Sequence, residues 1–209
     1  MRQGAGEQGR ARGVDGQGRW RRRRGGLAAL LAAGLWLGGC GVRPHGQFVF
    51  QKLAPQAGTL QQELTAAYCA YDERGQVQVV LAARDPVRQG GGDVRQMLVI
   101  RSFWLPKGPQ TPRSASATNA NLEYVVEANG QVGWYRGAGF AEVKRSGSRG
   151  DVRVTLRSAH LRLQGKTADF AETFTLAELT GSAEAVHKPA AVEELLARLA
   201  EYRKRLPQP

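Results

Sequence analysis

From Gln47 onward the apolar positions recur with a period of two. Phe48 and Phe50 fall on one face of Gln47–Leu53, and Val77, Val79, Leu81 and Ala83 on one face of Gln76–Arg84. That alternation predicts half-buried strands. The same reading gives strands at Leu64–Tyr71, Gln96–Trp104, Asn121–Ala128, Gln131–Arg136, Phe140–Arg145, Asp151–Leu163 and Thr173–Val186. Two tight turns punctuate them. Asp72-Glu73-Arg74-Gly75 places glycine where a positive φ is needed, and Asn129-Gly130 is a strong two-residue hairpin signal. The loop Pro106–Ala120 is rich in Ser, Thr and Pro, and Arg88–Asp93 in glycine.

One strand cannot be regular throughout. Val152, Val154 and Leu156 share one parity, whereas Ala159, Leu161 and Leu163 take the other. An unbroken strand would turn one of these sets to water, so a bulge or turn is expected near Ser158-Ala159-His160. With that shift Arg153, Arg157, His160 and Arg162 share a face.

The period then changes. Val192, Leu195, Leu196, Leu199 and Tyr202 recur at helical spacing, with Glu193, Glu194, Arg198, Glu201 and Arg205 opposite, after Pro189 and before Pro207. The expected fold is mainly β: an antiparallel curved sheet or a sandwich of about eight strands, with one C-terminal amphipathic helix at 189–206 packed on the β domain of residues 47–188.

The N-terminal part has a different pattern. Arg19-Trp20-Arg21-Arg22-Arg23-Arg24 precedes the uncharged run Leu27–Leu37, which ends in Gly38-Gly39-Cys40. A bilayer-spanning helix needs about 20 apolar residues. This run is shorter and has the order of a secretory signal: cationic segment, apolar core, small residues. Leu37-Gly38-Gly39-Cys40 resembles the lipobox of bacterial lipoproteins, and the resemblance covers residues 19–40. It implies cleavage between Gly39 and Cys40 and acylation of Cys40. Residues 1–39 would then be a signal peptide with an extended n-region, and residues 40–46 a lipidated tether. The resemblance further implies a chain held in the bacterial cell envelope by acyl chains, and Gly41 in place of an Asp leans towards the outer membrane, facing the periplasm.

Charge supports that division. The chain carries 30 Lys+Arg against 18 Asp+Glu, a formal +12. Removing the eight Arg, Glu7 and Asp15 of residues 1–39 halves this to +6. Half of the basic excess thus belongs to the leader, so no nucleic-acid partner is expected.

Candidate chemistry is sparse. His45, His160 and His187 are far apart, without Cys, His or carboxylate at ligand spacing, so no metal or other cofactor is expected. Ser102, Ser114 and Ser116 lack the context of a nucleophile, and Asp169 and Glu172 read as loop residues. No catalytic residue is assigned. Cys69, in AAYCAY, reads as a small buried hydrophobe. Two binding surfaces are candidates. The basic strip Arg153, Arg157, His160 and Arg162 suits an anionic lipid, a cell-wall polymer or an envelope protein. Trp104 and Trp134 are candidate aromatic contacts. The functional expectation is a non-enzymatic, lipid-anchored binding or scaffolding protein of the envelope. The alternative is a periplasmic carrier or chaperone for an apolar ligand held between sheet and helix.

Overall fold

The computed structural model describes residues 45–88, 92–104, 118–147 and 149–207. Gly39, Cys40, most of the tether, Ser114 and Ser116 lie outside them, as does nearly all of the loop before Ala120. Nine strands and one helix follow in order: β1 (His45–Ala54), β2 (Gly58–Leu64), β3 (Ala66–Tyr71), β4 (Val77–Arg88), β5 (Gly92–Ser102), β6 (Ala120–Ala128), β7 (Gln131–Arg145), β8 (Val152–Lys166), β9 (Leu176–His187) and α1 (Pro189–Lys204).

The strands form one sheet in the order β2-β1-β9-β3-β4-β5-β6-β7-β8, with β8 also paired to β9. That last ladder closes the sheet on itself. β2 and β3 are nearly continuous, the first half paired to β1 and the second to β4. The ring is therefore an up-and-down barrel with eight ladder positions. It is mixed rather than purely antiparallel, because β3 meets β9 in a two-residue parallel contact at Tyr68–Val186 and Cys69–His187.

An eight-stranded ring is just wide enough for side chains to fill, and here they do. Phe48, Phe50, Leu64, Leu81, Leu98, Ile100, Leu122, Tyr124, Tyr135 and Phe174 are buried in one cluster. Its centre is aromatic: Phe50 and Tyr124 lie 4.8 Å apart by ring centroid, and Tyr135 and Phe174 4.3 Å.

The expected irregularity in β8 is a bulge at Arg157-Ser158, where the register shifts on both flanking ladders. Val154, Leu156, Ala159 and Leu161 consequently all face the core, while Arg153, Arg157, His160 and Arg162 are exposed on the outside. The two strands expected at Gln131–Arg136 and Phe140–Arg145 are one, β7, running through Gly137-Ala138-Gly139. Neither glycine has room for a methyl group. A Cβ on Gly137 would stand 1.6 Å from the carbonyl oxygen of His160, and one on Gly139 2.5 Å from Cα of Ala159. Both hairpin turns form, with φ of 73° at Gly75, 52° at Asn129 and 78° at Gly130.

The helix packs on the outside of the barrel. Val192, Leu195, Leu199, Tyr202 and Leu206 cover Val80, Met97, Val99, Val125 and Val132, a second apolar cluster. β4 and β5 are thus apolar on both faces, one set inside the barrel and the other beneath α1. The helix C-terminus is fixed by charge. Glu123 on β6 takes ion pairs from Arg101 and Arg203, and Glu127 accepts from Tyr202 Oη at 2.9 Å and from Arg205 at 2.6 Å.

Candidate functional site: a groove at the barrel seam

Because β2 leaves β4 to pair with β1, the ladder between β3 and β4 ends at Ala66–Ala82. A groove of about 570 Å³ opens at this seam between the barrel wall and α1. Ala66, Tyr68, Ala82, Ala83, Met97, Leu195 and Tyr202 make it largely apolar, and Arg95 and Arg198 stand at its margin. Its size falls within the ~300–1,000 Å³ usual for small-molecule sites.

Behind the seam side chains link β2 to β5 and β6. Gln96 Nε2 donates to Gln62 Oε1 at 2.9 Å, and Tyr124 Oη donates to Gln96 Oε1 at 2.6 Å, all three residues buried. The network satisfies polar groups that would otherwise be costly in the core. It also separates the groove from the aromatic interior.

The arginines are half exposed. Arg198 lies 3.4 Å from Glu194 and Arg95 3.8 Å from Glu127. Such surface pairs are weak, and each guanidinium has five N–H donors.

The surfaces suggested by sequence have other surroundings. Within the basic strip, Arg153 is paired with Glu184, and Arg157 meets Glu142 at 2.8 Å. Arg157 and Lys144 together hold the Glu142 carboxyl down at about 2, the hydrogen bond from Arg157 being the main cause. His160 and Arg162 have no ion pair among the described residues. The strip shares one face, but two of its three arginines are already matched.

The tryptophans are structural neighbours of the fold. The Trp134 ring lies under Arg203 at 5.2 Å and Arg136 at 5.5 Å, and its Nε1 donates to Glu123 at 3.4 Å. Trp104 packs edge-on against Phe140 at 6.1 Å and donates to the Thr118 carbonyl at 3.3 Å.

Cys69 is fully buried, and burial pushes its thiol up to about 12. Ser102 Oγ donates to the Trp104 carbonyl at 2.8 Å, and Glu172 is paired with Lys166 at 2.6 Å. Among the described residues no group of three or more His, Cys, Asp or Glu is arranged to hold a metal ion.

The groove residues carry a signal in the sequence that alternation alone does not show. Val79-Val80-Leu81-Ala82-Ala83 and Met97-Leu98-Val99-Ile100 are apolar at every position, the mark of strands covered on both faces. Comparison with family models, with curated proteins and with solved structures finds no match.

Proposed function

We propose that this chain is a lipid-anchored protein of the bacterial cell envelope that acts by binding rather than catalysis. Its ligand is an elongated apolar chain with an anionic head, held in the groove between α1 and the barrel. The anchor is the acylated Cys40 that the lipobox implies. The observation that carries the ligand reading is the groove itself: an apolar floor beneath the helix, ending at two arginines. The interior of the barrel is filled by side chains, so the seam is the place where an apolar chain finds cover. A scaffolding role through the basic strip is less favoured, because Glu184 and Glu142 neutralise Arg153 and Arg157.

The test is a titration with a fluorescent long-chain fatty acid against wild type and Ala82→Trp, with thermal melts to confirm folding. Saturable binding by wild type, weakened about tenfold or more by the tryptophan that fills the floor, is expected. A fatty alcohol of equal length should bind less tightly than the acid, and Arg95→Gln/Arg198→Gln should erase that difference. Absence of saturable binding, or binding indifferent to Ala82→Trp, contradicts the reading.

A further inference from the structure

The strand directions place one end of the barrel at His45, the first residue of β1. β1 begins there at His45, and β3, β5, β7 and β9 all finish there. His45 is paired across the ladder with Glu184, Glu184 with Arg153, and Arg153 with Lys144. At about 4.8 Å per strand spacing, this row brings Lys144 within about 14 Å of the first described residue. Immediately after Lys144 the chain turns through Arg145 and Arg149, both exposed.

The acids around this turn already have partners, Lys144 itself being one of those of Glu142. Glu184 is held by Arg153, and Asp151 is buried with Oδ1 accepting the His187 N–H at 2.9 Å. Glu142 is held by Arg157 and, at 3.0 Å, by Lys144. On the β3–β4 turn Asp72 accepts from the backbone N–H groups of Arg74 and Gln76. Arg145 lies over the Tyr71 ring at 5.8 Å, and neither it nor Arg149 has an ion pair among the described residues. The β8–β9 loop at the opposite end carries Asp169 and Glu172.

We infer that this end of the barrel, through Lys144, Arg145 and Arg149, rests on an anionic phospholipid surface. The inference relies on the reading of Cys40 as the anchor. Five residues from Cys40 to His45 span at most ~18 Å, so an acylated Cys40 holds His45, and with it the β7–β8 turn, close to the head groups. Basic side chains near such a surface are attracted within a screening length. Gly147 and Gly150 take positive φ of 82° and 88° on either side of the exposed Arg149. Only one end of the basic strip takes part: Arg162 is paired with Leu176 at the start of β9, at the far end.

The experiment uses the acylated chain reconstituted into vesicles of phosphatidylglycerol and phosphatidylcholine. A fluorophore is attached at Ser146→Cys or, as a control, at Leu53→Cys, an exposed site eight residues further along β1. Quenching by a head-group-labelled lipid is measured, with flotation and intact mass taken on the same sample. The expected result is strong quenching at the turn and little at the control. Changing Lys144, Arg145 and Arg149 to Glu, with an unchanged melt, should reduce the turn signal at least about fivefold, as should vesicles without phosphatidylglycerol. An acylated, floating chain quenched equally at both sites, or indifferent to the triple change, overturns the orientation and leaves the anchor standing. A chain without acyl mass that does not float overturns the anchor reading and the orientation with it.

Discussion

Arg203, in the last turn of α1, is bonded to the carboxylate of Glu123 on β6, eighty residues away in sequence. The Glu123 side chain is only 5% exposed, and its other oxygen is taken by Arg101. One carboxylate thus holds the helix against the barrel and balances two guanidiniums. Glu123→Gln removes the charge and leaves both arginines facing each other across a half-buried site. Because the arginines are partly open to solvent, the loss is put at about 2 kcal/mol rather than the larger cost of a dry pair. Urea unfolding should show it as a lower midpoint with an unchanged slope. The groove, which depends on α1 being seated, should bind the proposed ligand more weakly in the same variant.

Gly137 tests the closeness of β7 and β8. The atom in the way of a Cβ is a backbone carbonyl oxygen, which cannot move without breaking the ladder. Gly137→Ala should therefore cost about 2–4 kcal/mol, far more than an alanine elsewhere in a strand, and appear as poor folding or a sharply lowered melting temperature. Gly75→Ala has open space around it but a φ of 73°. It should cost about 1 kcal/mol from the backbone alone.

These two glycines also show how far the sequence could be read. The alternating strands β1 and β4, both hairpin turns, the bulge in β8 and the closing helix follow from periodicity and turn chemistry, because each is a local pattern. β2 does not. Its sequence GTLQQEL turns Gln62 inward, and that position reads as solvent-facing until Gln96 is seen to partner it. β7 read as two strands because Gly137-Ala138-Gly139 has almost no side chains with which to alternate. Closure of the sheet is a relation of β9 to β1 and β8 together, which no local window contains. The groove arises from the parting of β2 and β4, so its residues were legible only as unusually apolar strands.

Glu142 predicts a measurable titration. Hydrogen bonds from Arg157 and Lys144 favour its charged form and bring its pKa to about 2, below the ordinary carboxylate value of 4.5. A depressed folded pKa means that this carboxylate's contribution to stability is present above about 4.5 and is lost as pH falls through about 2. Carboxyl NMR should place the midpoint near that lower value in wild type. In Arg157→Gln it should move up toward 4.5, with less of the stability lost between those two pH values.

Cys69 has the opposite sign. Burial raises its thiol from 9.0 to about 12, so the folded state keeps the proton that the unfolded chain gives up. Its contribution is complete below pH 9 and disappears as pH rises toward 12. At pH 8 the thiol should be inert to a disulfide reagent in the folded chain and react at once in denaturant. Rapid labelling without denaturant would mean that the barrel opens at the β3–β9 contact.

The proposed orientation and place in the cell both depend on what happens at Cys40. The most direct measurement is the intact mass of detergent-extracted protein from the native cells, wild type beside Cys40→Ala. A wild-type chain that begins at Cys40 and carries added acyl mass, absent from the variant, is the predicted result. A wild-type chain that keeps residues 1–39, or begins at an unmodified residue, would contradict the account.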